Sequence, residues 1–387
     1  MKEIREELFN ARRLYSNENF TEALEIFDRH FENHPELFHI GFRTTYAWAL
    51  YKGLIVKSDD EEEILQAAEK VTELVDQQDL NSEDFCVYTF AVFAAVRHLK
   101  GQNDFYAIPY WLDKLNPVLL DENHSEYAGR PKQSNREFYY ETYSKACLNC
   151  REYEKCIEIS QKALESVTTF TNYGDTWHKW RIAKSLNELN RPYDALKYLK
   201  EVIKVKKEWY IYKLMAEILY RLNKSNEALD YLCPAVLSNK PSNIKVNLYY
   251  LAYQILTGMK SEHALLHAQL YYLLKLESGA KINHDIERLN FDETQLNKKQ
   301  LERQIRDLWT RYKFKDQKLK HGTVINFRDD RNFGFIRTED DMEIFFHKSQ
   351  FKGDTVYIGQ MVSFYTEESF DKSKNRKSIN AINVRGE

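Results

Sequence analysis

Phe333 and Phe335 are separated by a single residue, and so are Phe345 and His347. In an extended strand, residues two apart project to the same face. Each pair therefore sets two flat π-systems side by side, with Gly334 and Phe346 left on the opposite face. Two neighbouring strands of this kind make a platform on which nucleobases stack. Such stacking is worth roughly 1–3 kcal/mol per base and tolerates sequence because every base has a π-face. The chemistry this pattern offers is recognition of a single strand, with no bond made or broken.

Strands must hold those rings, and the surrounding sequence supplies them. At about residue 319 the apolar spacing changes from helical to alternating. The segments 322–327, 332–336, 343–347, 362–365 and 379–384 are short, β-prone and separated by charged or glycine-containing turns. Five strands in fewer than seventy residues predict a small closed barrel. Residues 319–387 hold eleven basic and eleven acidic side chains, so the segment is no electrostatic magnet. Its binding is expected to be weak and salt-sensitive unless a neighbouring element supplies positive charge.

This segment closely resembles the bacterial cold-shock domain, a five-stranded oligonucleotide-binding barrel. The resemblance rests on Gly322-Thr323-Val324-Ile325-Asn326-Phe327, Arg331-Asn332-Phe333-Gly334-Phe335-Ile336 and the acidic turn Glu339-Asp340-Asp341. It continues through Glu343-Ile344-Phe345-Phe346-His347, Gly359-Gln360-Met361-Val362-Ser363-Phe364 and Asn380-Ala381-Ile382-Asn383-Val384, in order and at compatible spacing over 319–387. It implies single-stranded RNA or DNA lying across the barrel, with Phe327, Phe333, Phe335, Phe345 and His347 as the stacking platform. Arg331, in place of the family's lysine, is implied as a phosphate or base contact, and Lys348 joins the nucleic-acid-binding positions as a cation. Three positions depart from the pattern. Asn326 replaces the family's tryptophan, Ile325 replaces the lysine before it, and Lys348 replaces an aromatic.

Upstream, residues 291–318 read as one amphipathic linker helix that caps the helical region. Asn290 followed by Glu293 predicts its start, with the Asn side chain capping free amides and the Glu reaching back. Leu301, Ile305, Leu308 and Tyr312 form an apolar stripe with Trp309 at its edge, and Lys299, Arg303 and Arg306 fall on the opposite side as candidate phosphate contacts. The positive strip is expected to run on through Arg311, Lys313, Lys315 and Lys318 into the barrel.

Residues 1–290 carry a repeat. Phe20, Ala23, Leu24, Phe27 and Phe31 sit at helical spacing before Pro35, and Ala195, Ala228 and Ala264 recur at intervals near 34 residues. That period is the mark of stacked helical hairpins, which bury their apolar faces on one another. The pattern resembles the tetratricopeptide family, best over 4–37 and 209–241. This resemblance implies an all-α solenoid of about seven hairpins whose groove holds a protein or peptide. The middle is irregular, with packing positions expected at Ala67, Ile108 and Cys156, a solvated acidic loop at Asp59–Glu63 and a polar loop at 121–135. Phe138-Tyr139-Tyr140, Trp177-His178-Lys179-Trp180 and Tyr271-Tyr272 are expected to pack between helices.

Composition narrows the remaining classes. With 387 residues, 43% hydrophobic content and a net charge of -3, the chain can bury a substantial core and has no global field toward nucleic acid or an anionic membrane. No apolar run approaches the roughly 20 residues of a membrane span. Five cysteines in helix-like sequence fit reduced thiols and a cytoplasmic protein, and Cys147-x-x-Cys150 lacks the second pair that a metal site needs. No nucleotide-binding glycine loop, zinc-protease motif or nucleophile elbow is present, so neither catalytic residue, metal nor cofactor is expected. Two functions remain. The first is a non-enzymatic adaptor that holds single-stranded RNA or DNA on an OB-fold barrel and a protein on the solenoid. The alternative is a protein- or peptide-binding scaffold whose barrel is a docking module or lid without nucleic-acid binding.

Overall fold

Apolar side chains at every third or fourth position make most of the chain helical. The computed structural model describes residues 2–78, 86–127, 129–353, 355–371 and 376–387. The chain divides into two compact units, Met1–Ile218 and Leu219–Glu387, so the boundaries expected near 290 and 318 both fall inside the second.

In the first unit the helices are α1 (Lys2–Ser16), α2 (Phe20–Asn33), α3 (Ile40–Leu50), α4 (Glu61–Leu74), α5 (Val87–Gln102), α6 (Ile108–Leu112), α7 (Asn135–Asn149), α8 (Tyr153–Ser166), α9 (Gly174–Glu188) and α10 (Pro192–Val205). Consecutive helices pack on each other, and α1 with α3, α3 with α5 and α7 with α9 also touch, the arrangement of stacked hairpins. Phe20, Ala23, Leu24 and Phe27 are the buried residues of α2, and Ala67, Ile108 and Cys156 are buried as their spacing suggested. Helix α2 ends at Asn33 and Pro35 opens a 3-10 turn, because proline has no N–H with which to continue the helix.

Two expected loops are structured. Asp60 caps α4 by accepting a hydrogen bond from the Glu63 amide at 2.9 Å, and Glu61, Glu62 and Glu63 form its first turn. There their charges face the positive end of the helix dipole instead of loose solvent. Within 121–135, β1 (Ser125–Tyr127) pairs antiparallel with β2 (Arg130–Lys132), and Gly129 takes the left-handed conformation (φ 71°) that a tight turn requires. Ala128 lies outside the described residues.

Cys147 is buried, and burial pushes its thiol up, away from the reactive thiolate. Cys150 donates to the Phe105 carbonyl. Among the described residues no group of side chains could hold a metal ion.

The second unit continues with α11 (Trp209–Arg221, which begins before the boundary), α12 (Ser225–Leu237), α13 (Val246–Gly258), α14 (Ala264–Glu277), α15 (His284–Glu287) and α16 (Lys298–Lys313). The start of α16 differs from the sequence reading. Asn297 is its cap, accepting from the Gln300 amide at 3.1 Å, whereas Asn290 has φ 47° and Asp292 caps a separate 3-10 turn. A left-handed residue cannot take the extended conformation of an N-cap. Trp309 is also not at the edge of the stripe. It is 2% exposed, in line with Leu301 and Ile305 where α16 packs on α12 and α14. Its indole Nε1–H donates to His267 Nε2 at 2.8 Å, a partner that sequence spacing could not reveal because it sits 42 residues away on α14.

Buried His178 and His267 make stability depend on pH. Burial, helped by Arg181, depresses His178 to about 3, and burial, opposed in part by the hydrogen bond to the His263 carbonyl, depresses His267 to about 4. Both folded values lie below the unfolded value near 6.5, so between these limits the unfolded chain binds more protons. Each contribution is complete above about pH 6.5 and is lost as pH falls toward the folded value, by up to about 3 kcal/mol for His267. Urea unfolding across that window should show the slope, and His267→Gln should flatten it for the second unit. A profile unchanged by that substitution would refute the assignment.

The barrel follows α16. Its strands are β3 (Lys320–Arg328), β4 (Phe333–Thr338), β5 (Glu343–His347), β6 (Met361–Asp371) and β7 (Arg376–Gly386), closed in the order β3-β4-β5-β7-β6. The last two are longer than the sequence suggested. They pair antiparallel from Val362↔Gly386 to Asp371↔Arg376. Val324, Ile336, Ile344, Phe346, Val362, Phe364, Ala381 and Val384 fill the interior. Helix α16 reaches this barrel directly, with Phe314 just beyond it stacked on Tyr365 at 4.4 Å and Arg385 facing Asp307 at 3.5 Å.

Candidate nucleic-acid interface

Alternation along β4 and β5 sends Gly334, Ile336, Ile344 and Phe346 inward, which leaves Phe333, Phe335, Phe345 and His347 on the outer face. Antiparallel register then brings them together, Phe333 opposite His347 and Phe335 opposite Phe345. The three phenyl rings form a closed set. Their centroids are 6.0 Å apart for Phe333 and Phe335, 5.6 Å for Phe333 and Phe345, and 5.8 Å for Phe335 and Phe345. All three are half-buried and His347 is exposed.

His347 Nδ1 accepts the Ser349 amide at 3.2 Å and faces the Ser349 hydroxyl at 2.9 Å. With Nδ1 engaged as an acceptor, the ring is fixed and its Nε2–H is left to donate to a base.

Gly334 permits this arrangement. A Cβ there would lie 2.5 Å from the Asn326 carbonyl oxygen and 2.7 Å from the Phe346 ring. Gly334→Ala is expected to cost roughly 1–3 kcal/mol through forced repacking, read as a lower melting temperature of the barrel. An unchanged melting temperature would show that β3 can move aside.

Phe327 is on the other face. A bulge between Val324 and Asn326 shifts the register, so Phe327 pairs with Gly334 and stacks on Phe346 at 6.1 Å with a 15° interplanar angle. The extra residue of a bulge reverses which residues point outward beyond it. Asn326 and Arg328 consequently join the outer face, opposite Phe335 and Phe333. Arg328 is exposed and forms no ion pair among the described residues. On the far side Asn380 of β7 lies beside Phe345. Sequence reading did not single out Arg328 or Asn380 as contacts. The signal available was Arg328's spacing of two from Asn326, but it becomes legible only when the bulge is known.

The expected cations are only partly available. Arg331 lies in the turn between β3 and β4, exposed, with its guanidinium 3.7 Å from Asp330. Lys348 donates to Asp329 at 2.6 Å and sits over the Phe327 ring. The positive strip expected to lead from α16 into the barrel is also interrupted. Lys313 pairs with Glu367 at 3.2 Å and Lys315 with Asp230 at 3.5 Å. Lys299, Arg303 and Arg306 are exposed, but they line a cleft facing the α12–α13 connection. Among the described residues the platform itself is therefore aromatic with Arg328 as its unpaired charge, suited to stacking more than to gripping phosphates.

Residues 320–386 match the family model described as the 'Cold-shock' DNA-binding domain. That match points to nucleic-acid binding by the barrel, and a cold-shock barrel is not typically a catalyst. No curated protein matches the chain. Solved structures similar to it include YrrB, described as a TPR protein with an unusual peptide-binding site, at 13% identity over 57% of this chain and 96% of that one, TM-score 0.39. PilF of Pseudomonas aeruginosa is similar at 11% identity over 64% of this chain and 97% of that one, TM-score 0.42. A monomeric IFIT1 mutant with m7Gppp-AAAA is similar at 12% identity over 78% of this chain and 61% of that one, TM-score 0.37. Among the described residues no helix is long and apolar enough to cross a membrane.

Proposed function

We propose that this chain is a non-enzymatic adaptor of the cytoplasm. Its barrel binds single-stranded RNA or DNA by base stacking, and its helical hairpins hold a protein or peptide partner. The observation that carries the nucleic-acid half is the cluster of Phe333, Phe335 and Phe345, three mutually adjacent rings on the outer face of a barrel whose interior is already filled without them. Exposed aromatic area grouped in this way is costly in water and is relieved when bases cover it. Arg331, Lys348 and Arg328 at the β3–β4 edge would then meet the passing backbone, and Phe327 supports the platform from beneath. Tethering supplies the mechanism, since two modest contacts on one chain raise each other's effective concentration.

Fluorescence anisotropy of labelled single-stranded RNA and DNA with the full chain tests the reading. Saturable binding to single strands, weaker for the duplex of the same sequence, is expected. Absence of binding at tens of micromolar would instead favour the barrel as a protein-docking module, with the hairpins carrying the function.

A further inference from the structure

A cleft of about 740 Å³ opens between α16 and the segment that joins α12 to α13. Six cations line it, Lys240, Lys245, Lys298, Lys299, Arg303 and Arg306, against one lining carboxylate, Glu302, which accepts a hydrogen bond from Ser242. Two of the cations have assigned partners. Lys298 pairs with Glu277 at 2.5 Å, and buried Lys245 donates to the Val236 and Ser238 carbonyls at 3.0 and 3.1 Å, closing the end of α12.

Lys240, Lys299, Arg303 and Arg306 form no ion pair among the described residues. Lys299 with Arg303 and Arg303 with Arg306 are four and three apart on one helix, a spacing at which like charges destabilise the helix. Burial, reinforced by Arg306, pulls Lys245 down to about 8, a sign of the positive potential within the cleft. On a chain of net charge -3, whose other surface cations are so often paired, this concentration of unopposed charge on a concave wall is the property of an anion site.

We infer that this cleft is a second binding site, separate from the aromatic platform, and that it takes a run of linked phosphates such as a triphosphate group. Arg303 and Arg306 offer planar forks that meet phosphate oxygens bidentately. Lys240 and Lys299 add point charges on either wall. A triphosphate concentrates about four negative charges in a span of three phosphorus centres, matching four unopposed cations. Carboxylates of an acidic peptide, with one charge each, would have to be spread along an extended chain. The cleft volume also falls within the roughly 300–1,000 Å³ of small-molecule sites. The phosphates could belong to inorganic polyphosphate or to the tail of a nucleotide.

Calorimetric titration of the full chain distinguishes these sources. Tripolyphosphate is expected to bind saturably at low salt, and the exposed-site variants Arg303→Glu/Arg306→Glu and Arg303→Gln/Arg306→Gln to weaken it by at least about tenfold, as loss of two charge-assisted contacts implies. The Phe333→Ala/Phe335→Ala/Phe345→Ala variant should bind tripolyphosphate as the parent does, so failure here is distinct from failure of the barrel to bind single strands. ATP binding at least as tightly as tripolyphosphate, with adenosine silent, would support a nucleotide source, and weaker ATP binding an inorganic one. The inference is overturned by absence of saturation, by equal affinity in parent and arginine variants, or by a glutamate-rich peptide that competes more tightly than tripolyphosphate. It is also overturned if the arginine variants lose affinity for an unphosphorylated single strand as strongly as for tripolyphosphate, which would make the cleft part of a backbone path.

Discussion

Replacing Phe333, Phe335 and Phe345 together by alanine is expected to lower affinity for single-stranded RNA and DNA by at least about 100-fold. Stacking contributes roughly 1–3 kcal/mol per base, and the three rings are in mutual contact, so their losses will not simply add. A combined loss of about 3 kcal/mol is therefore a conservative expectation, equivalent to about two powers of ten. The rings are half-buried on the outer face, and the barrel interior does not include them, so the variant should fold with an unaltered circular dichroism spectrum. Phe327→Ala provides the contrast. Its ring packs on Phe346, so the expected result is a less stable barrel whose affinity, measured well below its melting temperature, changes far less. Anisotropy titrations of both variants against one labelled oligonucleotide compare them directly. If the triple variant binds as tightly as the parent, the platform is not where the strand lies.

The largest effect on stability is expected at Trp309. The side chain is buried at the packing of α16 against α12 and α14, and its indole is the donor to buried His267. Truncating a buried tryptophan to alanine costs roughly 3–5 kcal/mol. Trp309→Phe separates the contributions, because it retains much of the apolar volume but leaves His267 Nε2 without its donor, a loss of about 1–3 kcal/mol. Urea unfolding of the full chain, with the transition of the second unit followed by a local probe, should order the proteins as parent, Trp309→Phe, Trp309→Ala. A difference below about 1 kcal/mol between parent and Trp309→Ala would mean that α16 is not integral to that unit.

The residues show how much of this was legible beforehand. The rings at 333, 335 and 345 and His347 could be placed on one face because strand alternation is a local property and Gly334 leaves few alternatives. The strands at 343–347 and the hairpin residues around Phe20 to Phe27 followed from period alone. Phe327 could not be placed correctly, because the bulge between Val324 and Asn326 arises from how β3 pairs with β4, not from anything β3 contains. Trp309 looked peripheral on a helical projection, since an isolated helix does not reveal how broad an apolar face its neighbours will cover. The acidic run at 59–63 was composition without context until Asp60 was seen to cap α4.

By itself the sequence determined what is local: helices by their 3.6-residue period, five strands by alternation, the resemblance of 319–387 to a cold-shock barrel, and the identity of the three outward rings. Tertiary structure alone decided which charges are free. Lys313, Lys315 and Lys348 are offset by Glu367, Asp230 and Asp329, whereas Arg328 has no ion-pair partner among the described residues, and the basic cleft is assembled from segments as far apart as Ser242 and Glu302, 60 residues in the chain. The physical reason is one of range. Backbone propensity and side-chain alternation act between residues a few positions apart, but the electrostatic partner of a charge is whatever the fold brings within a few ångströms of it.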